Sequence, residues 1–226
     1  MAAADPVVFE SGPKEVQLLE LFTSEGCSSC PPAEASFSRL VGDSRLWRDF
    51  VPIAFHVDYW DRLGWKDPFA SMEWTKRQQK YAENWKAETV YTPAFVLDGS
   101  EWRNTTVPVN DEAPGVLKAV VRDDATVIVT FEPATRNSGE FEVYAARLGF
   151  GINVNVRAGE NKGRSLRHDF IVLSLAHGKL DLGTQDPLHL VPPYESPKRP
   201  ERIALAAWIT NVGDIKPIQA IGGWLP

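Results

Sequence analysis

The rhythm of apolar and polar positions changes along this 226-residue chain. Residues 16–22, Val-Gln-Leu-Leu-Glu-Leu-Phe, are a short apolar run suited to a buried strand, and residues 23–26, Thr-Ser-Glu-Gly, close it as a turn. From Ala33 the apolar positions recur at Phe37, Leu40 and Val41, the spacing of one helix face, with Gly42-Asp43 as a stop. Val51, Ile53, Phe55 and Val57 alternate through a second strand over 51–58. An aromatic, glycine-bearing loop follows over 59–68. Ser71 then stands as the cap of a helix reaching Trp85, with Lys, Arg and Gln on one face. Residues 89–97 predict a third strand interrupted at Pro93, and Asp98-Gly99 fits a tight hairpin into Ser100–Trp102. Residues 110–121 predict a last helix, although Pro114-Gly115 works against it.

Beyond Asp123 no helical period is visible. Strands are predicted at 126–131, 140–148, 152–156, 170–175 and 203–210, separated by clusters of Gly, Asn, Pro and Asp. The expected organisation is therefore a loose arm over 1–13, an α/β unit over 14–122 whose first two strands are parallel, and an all-β sandwich-like region over 123–226. No internal repeat or low-complexity tract interrupts it.

Composition narrows the function classes. A hydrophobic share of 43% and a charged share of 24% are ordinary for a soluble globular protein. The net charge of −6, with no Lys/Arg run, disfavours nucleic acid or an anionic membrane as the main partner. The apolar runs are too short to span a bilayer. No leader peptide is visible at Met1-Ala2-Ala3-Ala4-Asp5. A remnant left after cleavage and a native cytoplasmic start are both open.

Only two cysteines are present, Cys27 and Cys30, with Ser28-Ser29 between them, so they cannot staple distant segments together. At the junction of a strand and a helix, such a pair can close a small disulfide ring. The first sulfur would sit near the positive end of the helix, which favours the thiolate that attacks a partner disulfide. Cys27 would form the mixed disulfide and Cys30, one helical turn on, would resolve it. Glu25 and Glu34 are close in sequence, and no Lys or Arg is, so a strongly acidic thiol is not expected. A metal site is the usual competitor, but a structural zinc site needs four ligands and His56, His168, His177 and His189 are scattered. An inert buried pair is the other alternative.

Thr92-Pro93 is the second element of interest. A proline opening a strand removes a ladder N–H. A cis bond there would let a partner chain pair with the backbone of Thr92 beside the sulfurs; an ordinary trans proline at a strand start is the plainer alternative.

Four segments together carry a resemblance. Residues 18–32 (Leu-Leu-Glu-Leu-Phe-Thr-Ser-Glu-Gly-Cys-Ser-Ser-Cys-Pro-Pro), 55–65 (Phe-His-Val-Asp-Tyr-Trp-Asp-Arg-Leu-Gly-Trp), 91–95 (Tyr-Thr-Pro-Ala-Phe) and 159–164 (Gly-Glu-Asn-Lys-Gly-Arg), with Ala220–Trp224 at the end, are similar to the thioredoxin-like proteins grouped as domain of unknown function 1223. The resemblance covers nearly the whole chain. It implies a thioredoxin fold with an appended β-rich region, a bacterial and often exported protein (periplasmic or secreted), and no established substrate. Carried over, Cys27 is the nucleophile, Cys30 the resolving thiol and Pro93 the cis proline.

The remaining candidates rest on local physics. Asp58 ends a strand beside the cysteine strand and is placed to take a proton from Cys30 through water, or to cap its loop by hydrogen bonds. Tyr59, Trp60 and Trp65 would form a rim that meets the substrate. His56 reads as a satisfied core histidine. Residues 159–164 and His168-Asp169 form either a binding loop, an interdomain contact or, preferably, a plain turn. The resulting expectation is a thiol–disulfide oxidoreductase exchanging with a protein or small-molecule disulfide, without cofactor or metal and with a slight lean toward a reductase. A non-catalytic binding module and copper or zinc handling by the two thiolates stand as alternatives.

Overall fold

The computed structural model describes residues 5–104, 106–122, 126–135, 140–181, 184–185, 188–189 and 199–226. The first 104 residues carry β1 (Val7–Glu10), β2 (Gln17–Thr23), α1 (Cys30–Ser38), β3 (Phe50–His56), α2 (Met72–Trp85), β4 (Ala94–Leu97) and β5 (Ser100–Trp102). Then come β6 (Gly115–Val121), β7 (Thr126–Pro133), β8 (Phe141–Phe150), β9 (Ile152–Asn155), β10 (Ser165–His168) and β11 (Ile171–Asp181). The short β12 (Thr184–Gln185) and β13 (Leu188–His189) precede β14 (Arg202–Asn211) and β15 (Pro217–Trp224).

One nine-stranded sheet runs through both halves, in the order β15-β14-β8-β11-β3-β2-β4-β5, with β12 on the flank of β11. β2 and β3 are parallel, from Gln17 opposite Phe50 to Thr23 opposite His56, and β4 runs antiparallel to β2. Both central strands are buried along their whole length, as strands covered on two faces must be. The junction between the halves is the parallel pairing of β3 with β11 at Ala54 and Ile171.

A second sheet, β1-β6-β7-β13, packs on the C-terminal part of the first. The period of two along β14 makes this possible. Leu205, Ala207 and Ile209 face Leu117, Val127 and Val129 of the second sheet. Ala204, Ala206 and Trp208 face the opposite way, into the core that holds Leu18, Phe22 and Phe55. Gly222 and Gly223 on β15 use the same alternation at close range. A Cβ on Gly222 would stand 2.4 Å from the Trp47 ring, and one on Gly223 would stand 2.2 Å from the Phe9 ring.

Three expectations are corrected here. The helix predicted over 110–121 is β6, a strand paired with β7 from Gly115 opposite Pro133 to Val121 opposite Val127. Gly115 has φ of 132°, and a Cβ there would meet the Glu132 carbonyl at 2.2 Å, so this glycine belongs to the sheet edge and not to a helix. The arm over 1–13 contains β1, hydrogen-bonded to β6 from Val7 to Glu10; residues 1–4 lie outside the described residues. The boundary at 122/123 therefore falls between two paired strands, with Asp123 and Asp124 themselves outside the described residues.

Helix α2 is capped by Ser71, whose hydroxyl accepts from the Glu73 amide, and ends at Lys86 in the left-handed region. Its polar face is not wholly solvated. Arg77 is buried: its Nε donates to Glu20 Oε1 of β2 at 2.6 Å, while Tyr81 donates its hydroxyl to Glu20 Oε2. The guanidinium lies 5.3–5.7 Å from the ring centroids of Phe55, Tyr81, Tyr144 and Trp208, the last two from β8 and β14. Arg77→Ala would leave Glu20 buried without its cation. The expected loss is about 3–5 kcal/mol in a urea titration, and a loss under about 1 kcal/mol would show that the pair does not hold α2 to the sheet.

Candidate functional site

The cysteine turn follows β2 directly. Thr23 is the last residue of the strand, and residues 24–29 turn the chain into α1. The Cys27 amide donates to the Ser24 carbonyl at 3.1 Å and the Cys30 amide to the Cys27 carbonyl at 3.3 Å. Pro31 and Pro32 lie in the first turn of α1, where prolines fit but supply no N–H. The helix end therefore offers a sulfur fewer donors than an ordinary helix would.

Both cysteines are free thiols with no exposed surface. Cys27 Sγ lies 3.2 Å from Ser29 Oγ and 3.8 Å from the Thr92 carbonyl, to which a protonated thiol donates. The Thr92–Pro93 bond is cis. The hydrogen bond from the Cys30 thiol, followed by those from Ser29 and Thr92, outweighs the cost of burial and brings Cys27 down to about 6. Cys30 is pushed the other way, by burial first and then by donation to Cys27. Two neighbouring thiols are thus held in opposite states by one set of contacts.

Each residue proposed for the rim has a defined place. Trp60 touches Gly26 with its Cβ side and donates Nε1 to Thr92 Oγ1 at 2.8 Å, so the indole bridges the two segments that flank Cys27. Tyr59 donates its hydroxyl to Gln78 Oε1 at 3.3 Å and is held above its ordinary range, chiefly by burial. Trp65 donates Nε1 to Glu25 Oε2 at 2.6 Å and so belongs to the floor of the turn. Asp58 is tied to helix α2: its Oδ1 accepts from Thr75 Oγ1 at 2.6 Å. No hydrogen bond from Asp58 to either sulfur occurs among the described residues, and the capping alternative describes it.

Beneath the turn lies a group that spacing along the sequence could not reveal. His168, at the end of β10, donates Nδ1 to Glu34 Oε2 at 2.6 Å and Nε2 to Glu25 Oε1 at 3.1 Å. Its neighbour is a second pair, His56 Nδ1 to Asp67 Oδ2 at 2.7 Å, and the two imidazole rings meet edge to face at 5.0 Å. Asp67 also accepts from the Glu25 amide at 2.8 Å. All five side chains are buried. Burial works against an imidazolium on His168, but the charge of Glu34 and the bonds to Glu25 and Glu34 outweigh it and raise the group to about 10. His56 is raised in the same way by Asp67, again against burial, and Glu34 and Asp67 are held low by their histidines. The carboxylates expected to repel a thiolate are thus ion-paired.

The segment over 159–164 completes the grip and is a contact between the halves of the chain, not a plain turn. Asn161, fully buried, donates from Nδ2 to the carbonyls of Glu25 and Cys27, each at 2.8 Å. Glu160 accepts from the Ser28 amide at 2.9 Å. Glu34, His56 and His168 bring ligand atoms within 4.8 Å of one another, the only such group among the described residues, and it includes neither sulfur. Its Glu34 and His168 atoms already bond each other, and His56 bonds Asp67, so the cluster closes on itself as an ion-pair network.

The chain belongs to the family described as protein of unknown function (DUF1223), whose profile matches residues 18–210. No curated protein matches it. Among solved structures it is similar to protein AGR_C_4864 from Agrobacterium tumefaciens, with a TM-score of 0.58 and 24% identity over 94% of this chain and 95% of that one. It is also similar to HBP35 of Porphyromonas gingivalis, with a TM-score of 0.62 and 13% identity over 95% of this chain and 76% of that one. At these identities the likeness is one of fold.

The direction of the histidine shifts sets a stability window. A group whose folded pKa exceeds its unfolded value of about 6.5 stabilises fully below that value and loses its contribution as the pH climbs through the folded one. For His168 that interval is about 6.5 to 10. Glu34 and Asp67, held low, contribute above about pH 4 and lose their effect as the pH falls. Thermal melts are expected to show a plateau between about pH 5 and 6.5, then a decline toward pH 10 that His168→Gln reduces. A melting temperature that stays constant between pH 7 and 10 would contradict the buried imidazolium.

Proposed function

We propose that the chain is a thioredoxin-like thiol–disulfide oxidoreductase acting through Cys27 and Cys30. The observation that carries this reading is the placement of the dithiol at the junction of β2 and α1, with Cys27 Sγ 3.2 Å from Ser29 Oγ and 3.8 Å from the Thr92 carbonyl; the lowering of Cys27 and raising of Cys30 support it. Lowering the Cys27 pKa shifts that thiol toward the thiolate, the attacking species. The order β3-β2-β4-β5, with the dithiol between β2 and α1 and the Thr92 carbonyl beside it, supports the thioredoxin-like part of the reading.

In the reaction the Cys27 thiolate attacks one sulfur of a partner disulfide. A Cys27–partner bond forms, and the other partner sulfur leaves as a thiolate that takes a proton from solvent. Cys30 then loses its proton and attacks Cys27 Sγ, which releases the second partner thiol. The partner gains two electrons and the protein is left with a Cys27–Cys30 disulfide. A stabilised Cys27 thiolate favours the dithiol form, which raises the reduction potential above that of a couple with two ordinary thiols. The slight lean toward a reductase drawn from the missing Lys and Arg weakens accordingly.

One observation favours a second reading. Cys27 has no exposed surface, as in a binding module whose thiols are inert.

Equilibration in glutathione buffers followed by trapping with a mass-shifting alkylator separates the two. A single reversible two-electron transition is expected, with Cys27 alkylated faster than Cys30 below pH 8. Cys30→Ser is expected to accumulate a mixed disulfide at Cys27. Thiols that stay unmodified for hours in the folded protein would overturn exchange and leave the binding module.

A further inference from the structure

We infer that the cavity between α1 and the β4–β5 hairpin binds a small anionic amphiphile, an alkyl chain ended by one carboxylate, with the chain in the cavity and the head group on Arg39. The lining includes neither cysteine and no member of the His168 network, so the site goes beyond the dithiol chemistry proposed above and stands without it.

The cavity has a volume of about 730 Å³, within the range of about 300–1,000 Å³ found for sites of small organic ligands. Its walls are apolar on three sides. β2 contributes Leu19, α1 contributes Phe37, and the turn after α1 contributes Leu40. β4 and β5 contribute Phe95 and Trp102. Val107, in the segment after β5, closes the remaining side. Arg45 donates to the Val107 carbonyl at 2.9 Å and so ties that segment to the chain beyond α1. Leu19, Phe37 and Val107 are buried, whereas Leu40, Phe95 and Trp102 are only partly covered and leave apolar surface facing the space. Ala33 stands one turn before Phe37 on the same helix face, and its short side chain leaves room beside the Phe37 and Phe95 rings, which meet at 6.0 Å. An alkyl chain placed here removes its own apolar surface and that of the walls from water together.

The polar residues of the lining set the sign of the head group. Asp43 is neutralised by Arg45, which donates to its two oxygens at 3.2 and 3.0 Å. Arg103 is paired with Glu101 at 2.9 Å. Arg39 differs from both. Its guanidinium donates to the Ser36 hydroxyl at 2.7 Å, and no carboxylate pairs with it among the described residues. A guanidinium carries five N–H groups in a fork that fits a carboxylate, and one hydroxyl uses few of them. The cavity therefore has one uncompensated cation, which matches a single negative charge and disfavours a cationic head. Arg39 is exposed, and an exposed ion pair changes affinity by about two- to fivefold at most. Each buried methylene changes it by about three- to fourfold. Chain length therefore sets the affinity, and Arg39 sets the choice of head group.

The test is a titration of the full-length protein followed by amide chemical shifts in NMR, below the concentrations at which the ligands form micelles. The ligands are hexanoate, octanoate and decanoate, with 1-octanol and octylammonium as eight-carbon chains bearing a neutral and a cationic head. The shifts are expected to centre on Ala33, Phe37, Leu40 and Phe95, and the affinity is expected to rise about three- to fourfold per methylene. Octanoate is expected to bind at least about twofold tighter than 1-octanol, and octylammonium more weakly than either. Arg39→Gln is expected to bring octanoate down to the affinity of 1-octanol and to leave 1-octanol unchanged. Ala33→Trp, which fills the cavity, is expected to abolish binding of all of them; if it does not fold, Arg39→Gln and the head-group series decide the matter. Equal binding of octanoate and 1-octanol would overturn the choice of an anion and leave a neutral apolar ligand. Shifts that map elsewhere, or octanoate binding that Arg39→Gln does not change, would overturn the site. Absence of binding by every ligand would also overturn it and leave the cavity to an apolar side chain of a partner protein. None of these outcomes bears on whether Cys27 and Cys30 exchange disulfides.

Discussion

The bond between His168 and its two carboxylates is the constraint on which the rest of the structure depends. Glu25 sits in the turn before Cys27, Glu34 in the helix after Cys30, and His168 at the end of a strand in the other half of the chain. Three buried ionisable groups are tolerable only if they meet, because an isolated buried charge costs several kcal/mol or more. Their meeting therefore requires β10 to lie under α1 and fixes where the β-rich half sits on the dithiol layer. Asn161 repeats the linkage at the backbone, joining the carbonyls of Glu25 and Cys27 from the same side.

This arrangement gives the C-terminal half a part in the site. The dithiol turn has few contacts of its own: two prolines in place of helix donors, serines at 28 and 29, and a glycine against Trp60. Residues 160, 161 and 168 add four bonds to it from the other half, beside those of Asp67 and Trp65 to Glu25. The nine-stranded sheet makes that support rigid, because β11 continues the parallel layer from β3 and carries the core across the junction. The Arg77–Glu20 pair does the same on the α2 side, where rings from both halves surround one guanidinium.

Much of the layer containing the cysteines was legible in the sequence because its signals are local. The apolar run before Cys27, the helical spacing after Cys30, the Ser71 cap and the Asp98-Gly99 hairpin all act within a few residues. β6 was misread because the run Val116–Val121 is apolar on nearly every turn of either period, and its strand character comes from pairing with β7. Glu34 reads in the sequence only as a charge that disfavours a thiolate, for a similar reason. Glu34 is one helical turn past Cys30, on the same face, and that signal was visible. Without its counter-ion, though, it could only be weighed as a repulsive charge, and that counter-ion lies 134 residues away. The 159–164 segment offered glycines at 159 and 163, both with positive φ, which is the mark of a turn; only the fold shows that Asn161 between them is buried.

The central claim is that a group in the β-rich half holds the dithiol turn. Amide hydrogen exchange of the full-length protein at pH 6, read by NMR in the wild type and in His168→Gln, tests it most directly. The account predicts that the amides of Glu25, Cys27 and Ser28 lose at least about tenfold of their protection in the variant, while those of β14 and β15 keep theirs. Unchanged protection at the turn in a folded His168→Gln protein would contradict the account, and the turn would then be held by its bonds other than those of His168.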